Sequence, residues 1–337
     1  MLLAKGGNMT VCIAAICAWS GDDTTIIAMS DRMITSADVQ FEPEQNKMFQ
    51  FNARIGALIA GNAAPQTSVC AAVKLRVGDW GDADVTVERV ATLFAEEIAE
   101  YRRRHAEQIY LRPLGMTSES FLASHGTLSA SFVAETILNM QNYDIGDIQT
   151  IIMGRDKSGT HLFHVDKWGN VRCDDTTAFS AIGIGEWHAT SHLMLAKYSK
   201  GLDFQQALLQ VYIAKRKAEA APGIGTTTDI FFINDDEITT LRDRVQQILK
   251  ESVDEMEAIM APIGKKTESD FRQRVDQFLE ASVRESEQRE QAELAKESKD
   301  AGDAGEWAPN TWTGPTGAAG PGPAQITGPA QRSSNGG

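Results

Sequence analysis

The chain has 337 residues, enough for one large domain or two ordinary ones, and its 42% hydrophobic content can fill a substantial core. A net charge of −14, with no local cluster of Lys and Arg to offset it, excludes a nucleic-acid groove. No apolar run approaches the roughly 20 residues that span a bilayer, so no membrane partner is expected.

Residues 1–9 hold too little apolar character for a signal peptide and read as a leader or an upstream start ahead of Met9-Thr10. Val11–Ala18 and Thr24–Met29 are β-branched, apolar runs separated by the turn cluster Trp19-Ser20-Gly21-Asp22-Asp23, which predicts a hairpin. Lys47–Phe51 and Arg54–Ala60 predict a second hairpin turning near Asn52-Ala53, so four strands open the domain. Helices are expected over Pro65–Val77, Val85–Arg104 and Leu128–Met140, with His105–Gly126 irregular between the last two.

Strands return at Gln149–Arg155, Thr160–Asp166 and Asn170–Cys173, joined by turns at Lys157-Ser158-Gly159 and Lys167-Trp168-Gly169. Ala178–Gly185 predicts a short strand entering a Gly-x-Gly turn, followed by helices at Trp187–Lys200 and Phe204–Ala220 and a strand at Thr228–Asn234. Runs of strands and runs of helices, rather than strict alternation, predict an α+β fold of antiparallel sheets layered with helices. Residues 241–300 read as a charged helical extension interrupted at Pro262-Gly264, and residues 301–337 as a disordered Gly/Pro-rich tail.

A threonine directly after a possible start Met can itself become the N-terminal residue once the Met is removed. Thr10 would then carry a nucleophilic hydroxyl and a free α-amine, whose ordinary pKa of about 7.7–8.0 suits a general base. A nearby cation favours the neutral amine and the ionised hydroxyl, a role that Lys47 can fill, with Asp31 as its counter-charge. Gly61 can turn a backbone N–H toward a developing oxyanion.

The runs Thr10-Val11-Cys12-Ile13-Ala14, Ser30-Asp31-Arg32, Asn46-Lys47-Met48 and Ala60-Gly61 together resemble the proteasome β-subunit superfamily of N-terminal-nucleophile hydrolases. The Met-Thr-x-Cys opening and the Ser-Asp-Arg motif look most like its bacterial Anbu group, the ancestral β-subunits. The intervals from Asp31 to Lys47 and from Lys47 to Gly61 are similar to the family's own, and a larger loop at Ser20–Thr24 would absorb the longer first interval. The resemblance covers about residues 10–233 and implies a four-layer αββα sandwich over residues 10–240. It also implies catalysis by Thr10, Asp31, Lys47 and Gly61, a peptide substrate and a ring or helical homo-oligomer.

The chain departs from the family at Ile184, where a Ser would stand, and at Glu219 and Pro222, which replace an Asp and a Ser. It also has Met9 rather than Gly before the Thr, so the implied route to a free Thr10 is initiation at Met9 with ordinary Met removal.

The remaining candidates have plainer readings. Cys12 lies inside an apolar strand and reads as a buried structural thiol. His161 and His164 fall on opposite pleats, and His188 and His192, four apart on a helix, lack an acidic third ligand, so neither metal nor cofactor is expected. Gly183-Ile184-Gly185 is too short for a phosphate loop. Arg32 either joins the site or points outward, and Trp307 and Trp312 are a possible recognition motif in the tail. The expected function is a cytoplasmic, threonine-type peptidase. The alternatives are a non-peptidase amidohydrolase taking a small amide substrate on the same fold, and a catalytically silent oligomeric scaffold.

Overall fold

A computed structural model describes residues 10–21, 23–36, 39–42, 46–81, 84–234, 236–241 and 243–302. The leader at 1–9, Met9 included, and the tail with Trp307 and Trp312 fall outside the described residues, apart from residues 301 and 302, which are helical. In chain order the structure runs β1 (Cys12–Ala18), β2 (Thr24–Asp31), β3 (Ile34–Ser36), β4 (Val39–Phe41), β5 (Met48–Gln50) and β6 (Ile55–Gly61). Then come α1 (Ala63–Gly78), α2 (Val87–Tyr110), α3 (Ser118–Ser124), α4 (Ala130–Gln141), β7 (Ile148–Asp156), β8 (Gly159–Asp166), β9 (Val171–Cys173) and β10 (Phe179–Ile182). Last are α5 (Glu186–Leu195), α6 (Phe204–Ala218), β11 (Thr228–Ile233), β12 (Ile238–Leu241) and α7 (Asp243–Gly302).

The fold is α+β with two five-stranded antiparallel sheets, ordered β10-β1-β2-β11-β12 and β5-β6-β7-β8-β9. Both expected hairpins form, but in different sheets. The first pairs Cys12 with Ser30 and Ala18 with Thr24, and the second pairs Met48 with Leu58. Strand β1 reads Cys-Ile-Ala-Ala-Ile-Cys-Ala and its first six residues are buried, as a strand covered on both faces requires.

Strand β6 shows how its sheet divides its two faces. Leu58 and Ala60 pack into the cluster that holds Cys12, Ala14 and Ala28 of the first sheet, whereas Ile55 and Ala57 pack with Val69, Val73, Val90 and Phe94 of α1 and α2. Strand β7 repeats the alternation, with Ile151 and Met153 on one side and Ile148 and Ile152 on the other. Helices α5 and α6 lie against β1, β2 and β10 and supply Ala189, Leu193, Val211 and Ala214 to the first cluster. Polar ties also join the sheets: Thr24 Oγ1 meets Thr160 Oγ1 at 2.7 Å, and Arg155 donates to the Thr24 carbonyl at 2.5 Å and to Asp23.

Three readings of the sequence are corrected. Six strands, not four, open the chain, because β3 and β4 form a separate ladder with Ile34 opposite Phe41. Strands of three residues are too short to set up a period. The stretch His105–Gly126 is largely helical: α2 continues to Tyr110, and a Thr117–Ser120 capping box starts α3. Pro262 lies inside α7 rather than interrupting it. A helix interior loses about 3 kcal/mol to a proline, and long runs of Glu, Lys, Gln, Arg and Ala on both sides offset it. Strand β12 was also missed, because Ile-Thr-Thr-Leu borders a stretch with helical periodicity.

The chain divides into two units, Met1–Met260 and Ala261–Gly337. The first turns of α7 belong to the first unit, where Leu249 and Val253 are buried in the cluster around β1. In the second unit α7 is exposed through residue 295 apart from half-buried Val275, and it carries Arg272–Glu268 and Arg284–Glu280 pairs at helical spacing. No helix among the described residues is long and apolar enough to cross a membrane.

Candidate active site

The ladder between β1 and β2 carries on past β1, with Asp31 N–H donating to the Val11 carbonyl at 3.2 Å. That register sets the last residue of β2 beside the residues that precede β1. The Thr10 hydroxyl donates to Asp31 Oδ1 at 2.5 Å. Lys47, just before β5, donates from Nζ to Asp31 Oδ1 at 2.8 Å and to the same Thr10 hydroxyl oxygen. Thr10, Asp31 and Lys47 are therefore in mutual hydrogen-bond contact. Thr10 is 4% exposed and Asp31 fully buried.

Asp31 does more than face Lys47. Oδ1 also accepts from Val11 N–H at 2.9 Å, and Oδ2 accepts from Met33 N–H at 2.9 Å and Gly225 N–H at 3.2 Å. A carboxylate is purely an acceptor, and five donors occupy its two oxygens. The backbone donors carry no sequence signal, which is why sequence reasoning missed them.

Gly61 ends β6 opposite Ile148, with φ of +122°, a region that favours glycine. Cys12 Sγ donates to the Ile59 carbonyl at 3.7 Å, which ties this end of β6 to the start of β1. The Gly-Ile-Gly turn packs directly on Thr10. Gly183 has φ of +90°, and a Cβ there would strike the Thr10 carbonyl oxygen. Gly185 N–H donates to that carbonyl at 3.3 Å, and Ile184 between the glycines is exposed.

Gln149 accepts from Gly183 N–H at 2.7 Å and hydrogen-bonds Glu186, whose half-buried carboxyl is raised above the ordinary range by desolvation. Two hydroxyls on the strands flanking β1, Ser30 opposite Cys12 and Ser180 opposite Ala14, are buried without a hydrogen-bond partner. Ser30 entered the sequence reading only as part of the Ser-Asp-Arg motif, and Ser180 escaped it, since a serine within a strand carries no distinguishing signal.

Glu219, read from the sequence as a departure from the family's Asp, binds Lys215 at 2.6 Å, and Pro222 is exposed. Burial pushes the Lys215 ammonium below its ordinary value, and Glu219 opposes that shift. Arg32 turns to Asp229 on β11, with Nε 3.0 Å from both carboxylate oxygens. Burial pushes the Cys12 thiol up to about 12, which leaves it a poor nucleophile at neutral pH. His161 bonds Asp175 at 2.7 Å, His192 bonds Gln210 at 3.1 Å, and His188 is exposed. Among the described residues no group of three or more His, Cys, Asp or Glu gathers as a metal site.

Chemically, a hydroxyl held between an ammonium and a carboxylate in a buried setting is suited to nucleophilic attack. The cation stabilises negative charge growing on Oγ1, and the low-dielectric surroundings strengthen that stabilisation. In comparisons with known proteins, the chain matches no family model and no curated sequence.

Proposed function

We propose that this chain is an N-terminal-nucleophile hydrolase of the proteasome β-subunit type, resembling the Anbu group, built as a four-layer αββα sandwich and cleaving peptide bonds through Thr10. The observation that carries the reading is the contact of the Thr10 hydroxyl with both Lys47 and Asp31 at the opening of β1. The division of β6 and β7 between a sheet-facing and a helix-facing cluster supports the layering.

In this reading the Thr10 α-amine takes the hydroxyl proton while Oγ1 bonds to the substrate carbonyl carbon. The resulting oxyanion is held by the Gly61 N–H. Collapse breaks the C–N bond, and the leaving amine takes the proton from the α-ammonium. Water then attacks the Thr10 ester, releasing the acid and restoring the hydroxyl. Lys47 stabilises the charge on Oγ1, and Asp31 orients both Lys47 and the hydroxyl. The same reading assigns a homo-oligomer, and the exposed Trp187, Met194 and Leu195 of α5 give it an apolar face.

Intact-protein mass and labelling with a Thr-directed epoxyketone or β-lactone test the proposal together. The expected result is a chain beginning at Thr10, one adduct on that residue, and loss of the adduct in Lys47→Ala. A mature chain that keeps residues before Thr10 has no free amine and defeats the hydrolase reading in favour of a silent scaffold. Equal labelling of wild type and Lys47→Ala removes the role given to Lys47. The 4% exposure of Thr10 favours a second reading, a non-peptidase amidohydrolase, and turnover of small acyl-amides but not of peptides selects it.

A further inference from the structure

We infer that Lys215 is a positioning residue that sets the Asp31 carboxylate from inside the fold, by holding the loop whose backbone donates to it; the inference rests on the hydrolase reading above. Lys215 sits on the apolar stripe of α6 formed by Leu208, Val211 and Ala218, and it is fully buried. Its ammonium has three N–H donors, and three acceptors meet them: Glu219 Oε1 at 2.6 Å, the Gly225 carbonyl at 2.8 Å and the Thr226 carbonyl at 3.0 Å. Two of those acceptors belong to the loop whose Gly225 N–H donates to Asp31 Oδ2 at 3.2 Å. One residue thus receives Lys215 on its carbonyl and addresses Asp31 with its amide.

The loop is also held from outside. Glu42, exposed after β4, accepts from the Thr227 hydroxyl and from Thr227 N–H at 3.4 Å. Glycine at 225 is what lets these groups close. A Cβ there would run into the Glu42 carboxylate and lie 3.2 Å from Met33 Cβ. Met33 supplies the other N–H on Asp31 Oδ2, at 2.9 Å. Both donors on that oxygen are therefore backbone groups of two closely approaching residues, and one of them, Gly225, lies in the loop held by Lys215 and Glu42.

A buried ion pair often adds little to stability relative to a well-packed apolar pair. A charge at this position is accounted for by what it orients. With the loop released, Oδ2 loses a donor and the carboxylate can swing, carrying the Thr10 hydroxyl and Lys47 out of line.

The test uses the full chain and the variants Lys215→Met and Glu42→Ala, with amide hydrogen exchange and β-lactone labelling as the two measurements. Exchange at Gly225 should speed up at least ~10-fold in both variants, while amides of β1 and β2 keep their wild-type protection. The maximal rate of Thr10 acylation should fall at least ~10-fold in Lys215→Met, with half-saturation by the probe unchanged. Should Lys215→Met fail to fold, the double variant Lys215→Met/Glu219→Gln, which removes both charges of the pair together, carries the test with the same expected outcomes. Unchanged Gly225 exchange in the folded variants overturns the clamp. Faster exchange with undiminished acylation overturns the link to Asp31. A wild-type protein that takes no label at all defeats the hydrolase reading instead, and the exchange measurement still decides the clamp.

Discussion

Replacing Asp31 with Asn tests whether the carboxylate organises this end of the fold. In the wild type its two oxygens accept five hydrogen bonds, three from backbone N–H groups and one each from Thr10 and Lys47. Asn retains one oxygen, and its least costly orientation keeps that oxygen toward Val11, Thr10 and Lys47. The amide NH2 then faces the Met33 and Gly225 N–H groups, donor against donor. Each buried donor left unpaired costs about 1–3 kcal/mol. Lys47 also loses its counter-charge, and breaking a buried pair costs about 3–5 kcal/mol when one partner is removed. Because these terms overlap, the expected loss is about 3–5 kcal/mol rather than their sum.

Urea unfolding followed by tryptophan fluorescence reads this as a lower midpoint at constant slope. Adding Lys47→Met to Asp31→Asn should return part of the loss, a coupling of about 1–3 kcal/mol. A loss below about 1 kcal/mol, or strictly additive single variants, would refute the account of Asp31 as the shared acceptor.

Two further outcomes follow from burial. Cys12, Cys17 and Cys70 are buried with thiols pushed up to about 12, whereas Cys173 is exposed. Native protein should therefore take up one alkylating group quickly and four after unfolding, counted by mass; rapid native labelling of more than one thiol contradicts the packing of β1 and α1. His164 is held below its ordinary 6.5 by burial first and by the Arg172 charge second, and its Nε2 is buried without a partner. The unfolded chain takes up that proton at higher pH than the folded chain, so stability falls as pH drops below 6.5 toward the folded value. His164→Asn should flatten the fall on the acid side of 6.5, and identical denaturation profiles would exclude His164 as a source.

Periodicity made the long elements legible. The buried run of β1, the alternation in β6 and β7, and the one-sided apolar pattern of α2 each carry enough residues to set a period. Short ladders such as β3–β4 and the cap-driven α3 do not, and their existence depends on neighbours remote in sequence. At the site, Thr10, Asp31 and Lys47 could be named because their chemistry is written in side chains. Val11, Met33 and Gly225 act through backbone N–H groups, which every residue but proline owns. Lys215 left a trace that went unread, a lysine on the apolar stripe of α6 with Glu219 four residues on. Such a residue is either solvated at a helix edge or buried with partners, and only tertiary contact decides which.

The donors on Asp31 also determine when the site can come into being. They span the chain from Val11 to Gly225, and β1 itself needs β10 on its open edge. During synthesis the first hairpin emerges early with one flank bare, and the last of the carboxylate's donors, the Gly225 N–H, arrives more than half a chain later. Contacts this distant form late, after the cost of closing the intervening loop has been met. The set of donors around Asp31 is therefore complete only after Gly225 has emerged and its loop has closed, well after the hairpin that carries the carboxylate.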